Sequence, residues 1–148
     1  MVFLARIGNF FVKGILRSPL HGILSENVLL ITVTGRKSGK QYTTPVARVP
    51  HGDGYMVFSD HNRTWWRNLR GGAPVRLYVK GQEIGGMANV FEEPEAVVAG
   101  LTTYLQKSPH LAKYFDVDLD PDGQPNAEDI ARTAATEVLI RIQVDQSA

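Results

Sequence analysis

The chain has 148 residues, a formal net charge of +1 and no cysteine. This length is enough for one domain with a sizeable core, and we predict a single domain over residues 1–148. A hydrophobic fraction of 43% with 21% charged residues excludes a disordered chain. The lack of cysteine excludes disulfides, thiolate zinc sites and cysteine nucleophiles, and it fits a reducing cytoplasm, the predicted location.

The small net charge conceals two halves of opposite sign. Residues 1–80 carry 12 Lys and Arg against 3 Asp and Glu, whereas residues 81–148 carry 4 against 12. A basic half predicts an anionic partner: nucleic acid, an anionic membrane surface, or a small molecule with phosphate or carboxylate groups. Nucleic acid fits poorly, because the chain has no recognised binding motif and its other half is acidic. We therefore predict a small-molecule partner.

The first element along the chain is an amphipathic helix. Residues 2–17 place phenylalanine and isoleucine on one face and cations on the other. We favour a helix packed on the core or on a neighbouring subunit, because most amphipathic helices are packing elements. The alternative is peripheral contact with a membrane surface. With the helical turn that Ser18-Pro19 begins, this forms a predicted N-terminal helical segment, residues 1–25.

From residue 28 the pattern is that of β-strands. Residues 28–34 are apolar and β-branched, which predicts a strand buried on both faces. Pro45 belongs at a sheet edge or a bulge, since it lacks an N–H group. The pattern predicts an α+β fold of about six mainly antiparallel strands, with helices between the last two. The other strands are predicted at 41–50, 55–59, 73–81, 83–92 and 138–144, and the helices at 62–72, 94–107, from Ser108-Pro109, and 127–136.

The turn GRKSGK, residues 35–40, joins the first two strands. Its glycines permit a tight turn that exposes backbone N–H groups, while Arg36, Lys37, Ser38 and Lys40 add charge and a hydroxyl. The spacing excludes a Walker A loop, and a strand follows where that motif needs a helix. A plain solvated hairpin turn is the alternative. The charge of this half of the chain favours a site for phosphate or carboxylate.

Two adjacent tryptophans, Trp65 and Trp66, lie on the short helix at 62–72. Two neighbours on one helix are not expected to both point inward, so one is predicted to line a cleft. In the alternative, both cover the core beneath the stems of Arg63, Arg67 and Arg70.

The acidic loop at 116–126 predicts a turn without calcium. Six residues match an EF-hand spacing, but Pro125 occupies a position that needs an N–H group, and the last position is Asp. The six residues that match the EF-hand spacing are Asp118, Asp120, Asp122, Gly123, Asn126 and Asp129. The scattered histidines have no metal-ligand spacing, so no metal site is predicted.

The run LLITVTGRKSGKQYTTPV, followed by GYMVFSD and TWWRNLRGGAPVRL, resembles the deazaflavin-dependent nitroreductase family over about residues 20–92. The resemblance implies a split β-barrel, here residues 26–148, and coenzyme F420, a deazaflavin whose tail carries a phosphate and glutamates. It departs from the family at Asp60, where a lysine is expected.

The resemblance also assigns roles to residues. Arg36, Lys37 and Ser38 would meet the phosphate and the acidic tail. The ribityl chain and the ring edge would be lined by Tyr42, Thr44 and Pro45 from the second predicted strand. The ring would meet the backbone of Phe58, Ser59 and Asp60 from the third predicted strand. The tryptophan motif, with Trp65 and Asn68, would pack beside the ring. Tyr114 is the loosely matched substrate-side, catalytic tyrosine.

The function that the resemblance implies is an F420-dependent oxidoreductase. It would transfer a hydride from reduced deazaflavin to a quinone-like, nitroaromatic or activated-enone acceptor. Two alternatives stay open: an FMN-binding oxidoreductase of the same barrel class, and a non-enzymatic carrier of a cofactor or apolar ligand. Split barrels often dimerise, so a homodimer is one of the oligomeric states that the resemblance allows.

Overall fold

A computed structural model describes residues 28–79 and 81–145 of the chain. Seven strands in these residues form one antiparallel sheet, with three helices between the last two strands. The strands are β1 (Val28–Thr34), β2 (Gln41–Ala47), β3 (Val49–His51), β4 (Gly54–Asp60), β5 (Ala73–Val79), β6 (Gln82–Phe91) and β7 (Glu137–Val144). The helices between β6 and β7 are α1 (Pro94–Lys107), a 3₁₀ helix (Pro109–Phe115) and α2 (Ala127–Ala134); another 3₁₀ helix (Trp65–Leu69) follows β4.

The sheet order is β2-β1-β5-β6-β7-β4-β3, so the two edge strands are neighbours in sequence. Residues 41–50 were predicted as one strand, and the structure corrects this to two that flank Arg48. Arg48 is buried, with its guanidinium 5.6 Å from the centre of the Tyr55 ring. At this point the chain leaves β1 as a partner and takes up β4. Pro45 lies in β2, an edge strand, as predicted.

The sheet curls until β2 contacts β4. β3 pairs with β4 over Gly54–Met56, and beyond Met56 no backbone ladder joins β4 to β2 among the described residues. We call this gap between β2 and β4 the seam. A side-chain hydrogen bond crosses it, because Arg63, which follows β4, donates from Nη2 to Thr44 Oγ1 at 3.0 Å.

Two apolar clusters hold the sheet together, one on each face. The inner cluster fills the curl with side chains such as Ile31, Leu77 and Ile140, which are fully buried. The outer cluster lies between the helices and the strands β4 and β7. Helix α1 packs closely on this face at Gly100, where an added Cβ would lie 2.7 Å from Cδ2 of Leu139. The helices therefore cover the face of β4 and β7 that is turned away from the curl.

Most of the predicted elements are present in the described residues. β1 is buried on both faces, as predicted, and Thr32 and Thr43 join their hydroxyls across the β1–β2 pair at 2.7 Å. Helix α1 begins at Pro94 and ends at Lys107, as predicted, while α2 ends at Ala134 and not at residue 136.

The predicted N-terminal segment, with its helix at 2–17, lies outside the described residues. Within residues 28–79 and 81–145, none of the helices has the length and apolar character needed to cross a bilayer.

Candidate functional site

The turn between β1 and β2 is closed by its own backbone. The Gly35 N–H donates to the Lys40 carbonyl at 2.7 Å, and the Gly39 N–H donates to the Gly35 carbonyl at 2.9 Å. Gly39 has a φ of 72°, which glycine adopts without strain. A Cβ at Gly35 would lie 3.0 Å from both Ser38 Oγ and Tyr42 Cε2. Glycine at position 35 thus allows the serine and the tyrosine ring to close on the turn.

Asn68 joins this turn to the 3₁₀ helix Trp65–Leu69. Its Oδ1 accepts a hydrogen bond from the Arg36 N–H at 3.1 Å, and its Nδ2 donates to the Trp65 carbonyl at 3.1 Å. Both ends of the amide are therefore used within the protein. The turn and the helix are held as two facing walls.

A cavity of about 600 Å³ lies between these two walls. Four of its lining residues are cations and none is acidic, while two are aromatic. A volume of this size is ordinary for a small-molecule site. The lining residues are Gly35, Arg36, Lys37, Ser38, Tyr42, Thr64, Trp65, Arg67, Asn68 and Arg70.

Both tryptophans are buried, which corrects the expectation that only one would be. Trp65 is 8% exposed, lines the cavity and donates from Nε1 to Ser59 Oγ at 3.1 Å. Trp66 is fully buried beneath the guanidinium groups of Arg67 and Arg70, which lie 5.7 and 5.0 Å from its ring centre. Two guanidinium groups therefore cover a ring that belongs to the inner cluster.

Six of the residues predicted to bind the cofactor line the cavity together: Arg36, Lys37, Ser38, Tyr42, Trp65 and Asn68. The cavity also has four lining residues that were not predicted, Gly35, Thr64, Arg67 and Arg70, although the two arginines lie beside the tryptophans in the sequence. Their spacing of three residues is the signal that was available, because a 3₁₀ helix has three residues per turn and aligns such side chains.

The other predicted residues lie outside the cavity lining. Thr44 and Ser59 are buried at the seam, and Ser59 contacts the cavity only through its bond to Trp65. Phe58 turns its ring to the opposite face, where it packs on Tyr104 and Phe115 with ring centres 5.4 and 6.0 Å away. Pro45 and Asp60 are also absent from the lining.

Tyr114, the predicted catalytic tyrosine, lies on the 3₁₀ helix Pro109–Phe115 and is 46% exposed. The Lys113 ammonium lies 5.3 Å from the centre of its ring. It does not line the cavity, and its catalytic role stays a prediction.

Two glutamates have pKa values that are shifted in opposite directions. Glu92 accepts two hydrogen bonds from Arg70, both at 3.0 Å, and these hold the pKa of Glu92 below its usual value. Glu137 lies opposite Asp60 in the β4–β7 pair. Burial, and to a smaller extent the charge of Asp60, raise the pKa of Glu137 to about 7. Glu137 therefore keeps its proton far above the pH at which an exposed glutamate loses it.

The acidic loop is organised by its own hydrogen bonds. Asp129 accepts from the Asp118 N–H at 3.0 Å and pairs with Arg132 at 2.9 Å, while Asn126 caps α2 by accepting from the Asp129 N–H. In the part of the chain that the structure describes, no group of three or more His, Asp or Glu side chains is placed to hold a metal ion.

A family model described as F420H(2)-dependent quinone reductase matches residues 16–114 of the chain. No curated protein matches the chain at a significant level.

Solved structures with the same fold are distant in sequence. The general stress FMN/FAD binding protein from Xanthomonas citri is 16% identical over 84% of this chain and 79% of its own, with a TM-score of 0.51. A putative 5-nitroimidazole antibiotic resistance protein from Bacteroides thetaiotaomicron is 14% identical over 86% and 78%, with a TM-score of 0.52. The heme storage protein HutZ from Vibrio cholerae is 17% identical over 86% and 89%, with a TM-score of 0.50. The fold is therefore the predicted α+β split barrel, with seven strands in place of about six.

Proposed function

Because the chain belongs to the F420H(2)-dependent quinone reductase family, we propose that it is an F420-dependent oxidoreductase. Its acceptor would be a small quinone-like, nitroaromatic or activated-enone molecule. The observation that carries the proposal is the cavity beside the GRKSGK turn, which has four cationic lining residues and no acidic one. An anionic ligand with an aromatic body fits such a lining.

The residues present fit the anionic tail of a deazaflavin. Its phosphate and glutamate carboxylates would meet Arg36 and Lys37, whose backbone belongs to a closed turn between two strands. Hydrogen bonds from charged donors to such groups are about twice as strong as neutral ones. Ser38 Oγ accepts from the Lys40 N–H at 3.1 Å and lies 3.5 Å from the Tyr42 hydroxyl, so the two hydroxyls together have one proton to donate to an anion in the cavity.

The aromatic walls would position the rest of the ligand. Trp65 cannot rotate freely, since Ser59 holds its indole N–H and the inner cluster packs on it. Tyr42 faces it from β2, 46% exposed, with its ring edge close to Gly35. When bound, reduced deazaflavin supplies a hydride, and the protein supplies orientation and electrostatics.

The seam supports the remaining predicted contacts. Thr44 and Ser59 come from its two sides, and Trp65 connects Ser59 to the cavity. We propose that the ring edge lies there, against Pro45 and the backbone of Phe58, Ser59 and Asp60. Tyr114 is proposed on the acceptor side, where Tyr114→Phe should lower kcat without changing the Kd of the cofactor.

Spectroscopic titration tests this function. The purified protein should bind F420 at low micromolar concentration and FMN much more weakly, because the single phosphate of FMN uses less of the positive charge. Menadione should then oxidise the bound, reduced F420 in a single turnover. Tighter binding of FMN would favour the flavin alternative, and tight F420 binding without turnover would favour a carrier.

A further inference from the structure

Arg70 differs from the other three cations of the cavity in one respect. Its guanidinium holds the Glu92 carboxylate in a two-bond fork, Nε to Oε2 and Nη2 to Oε1, both at 3.0 Å. Among the described residues, Arg36, Lys37 and Arg67 have no carboxylate within ion-pair distance. Part of the positive charge of the cavity is thus already neutralised by the protein itself.

Arg70 has contacts at the rim of the cavity besides Glu92. The Arg70 guanidinium lies 5.0 Å from the ring centre of Trp66, which is fully buried and cannot move aside. The Arg70 N–H also donates to the Arg67 carbonyl at 3.3 Å, which closes the 3₁₀ helix. We expect these contacts to keep Arg70 beside the cavity, with its donors available, when the Glu92 carboxylate is absent.

The geometry of this pair is that of carboxylate recognition. A planar arginine fork with two parallel N–H bonds selects carboxylate or phosphate oxygens. Glu92 itself lies just beyond β6 and is not part of the cavity lining. Its side chain is 37% exposed, so it can turn into solvent.

We propose, building on the function proposed above, that Glu92 is an internal competitor for the ligand. Arg70 is a carboxylate or phosphate subsite that Glu92 occupies when the cavity is empty, and a ligand with several negative groups displaces it. Glu92 therefore sets how many negative groups a ligand needs before it binds tightly. It is a residue that determines specificity without touching the reacting atoms.

The variant Glu92→Gln tests this, with Glu83→Gln as the matched control. Glu83 forms a similar exposed ion pair, with Arg76 at 2.9 Å, away from the cavity. We expect Glu92→Gln to lower the Kd of F420 and of tripolyphosphate by about three- to tenfold, as a released charge-assisted pair allows. A deazaflavin without the phosphate and glutamate tail should bind unchanged. Glu83→Gln should bind all three probes like the wild type.

The double variant Arg70→Gln/Glu92→Gln separates competition from a general charge effect. In the Arg70→Gln background, adding Glu92→Gln should no longer lower the Kd of either polyanion, because the guanidinium that Glu92 would release is absent. An unchanged or raised Kd for both polyanions in Glu92→Gln overturns the inference, as does an equal gain for the tailless deazaflavin. If wild type fails to bind F420 while tripolyphosphate shows the Glu92 effect, the proposed function fails and the competitor role stands.

Discussion

Asn68 shows how a single residue of the cavity lining can also hold two elements together. The family resemblance implies a cofactor contact, which stays a prediction, and the structure adds that the amide bonds the Arg36 N–H and the Trp65 carbonyl. The sequence could indicate that Asn68 belongs to the site. It could not indicate this role, because the partner of its Oδ1 lies 32 residues away and depends on the tertiary fold.

The first prediction concerns the cations of the turn. Replacing Arg36 and Lys37 with Ala should raise the Kd of F420 by at least about tenfold, because each charged hydrogen bond to an anion contributes substantially. Stability should change little, since both side chains are exposed. Isothermal titration and thermal melting measure the two effects. Lys40→Ala is the control, because Lys40 is in the same turn but outside the lining. An equal loss in Lys40→Ala would mean that net charge, and not the cavity, sets the affinity.

The second prediction concerns the two tryptophans. F420 should quench tryptophan emission, and Trp65→Phe should remove most of that quench, because Trp65 is the one that lines the cavity. The variant also loses the hydrogen bond to Ser59, at a cost of about 1 kcal/mol. Trp66→Phe should keep the quench, since Trp66 is covered by Arg67 and Arg70. A quench that depends on Trp66 alone would place the ligand on the other side of the helix.

Among the elements, those with a local pattern were predicted well. The apolar run of β1 and the Pro94 start of α1 are local signals, and both are present in the structure. The break between β2 and β3 was missed because residues 41–50 keep an unbroken strand-like pattern. At the break, Arg48 is buried and its guanidinium lies over the ring of Tyr55 in β4. The change of partner from β1 to β4 depends on contacts with other strands, which the pattern of residues 41–50 does not record.

The third prediction concerns the pairing of β4 with β7. Gly54 lies opposite Gln143, and a Cβ there would collide with the Ile142 carbonyl oxygen, which the strand cannot withdraw. We expect Gly54→Ala to lower the free energy of unfolding by about 3 kcal/mol or more. Gly52→Ala is the control: nothing lies near its Cβ, and its φ of 59° predicts a loss of only about 1 kcal/mol. Equal losses in urea denaturation would contradict the close approach at Gly54.

For the whole molecule, the opposite charges of the two halves have a structural counterpart. All four cations of the cavity come from the basic half, and Glu92, which pairs with one of them, comes from the acidic half. The charge distribution therefore predicted that the basic half holds an anion site. It could not predict that the acidic half would supply a partner for part of that charge, because this requires β6 to end beside the 3₁₀ helix.

The fourth prediction is the dependence of global stability on pH. The pKa of Glu137 is about 7 in the folded protein, above its ordinary value of 4.5, so folding favours the protonated form. The contribution of Glu137 to the stability of the folded protein is complete below about pH 4.5 and is lost as the pH rises through about 7. At pH 8, Glu137→Gln should be more stable than wild type by roughly 1–2 kcal/mol, a value reduced for the exposed part of the carboxyl.

Thermal melting of both proteins between pH 4.5 and 8 measures this difference. The exposed Glu128 provides the control, and Glu128→Gln should show no gain in stability over the wild type at pH 8. If the curve of Glu137→Gln were parallel to the wild type, the pKa of Glu137 would be ordinary in the folded state.

The seam between β2 and β4 also affects the hydrogen exchange of the backbone amides. Local opening costs least where ladders are missing, so the β2 amides should exchange before those of β7, which is paired on both sides. Tyr42 stands on one side of the seam, and Trp65 is tied through Ser59 to the other. A ligand held between the two rings therefore links the sides that the backbone leaves apart. Its binding energy then opposes the opening of the barrel, and protection of β2 should rise with ligand concentration.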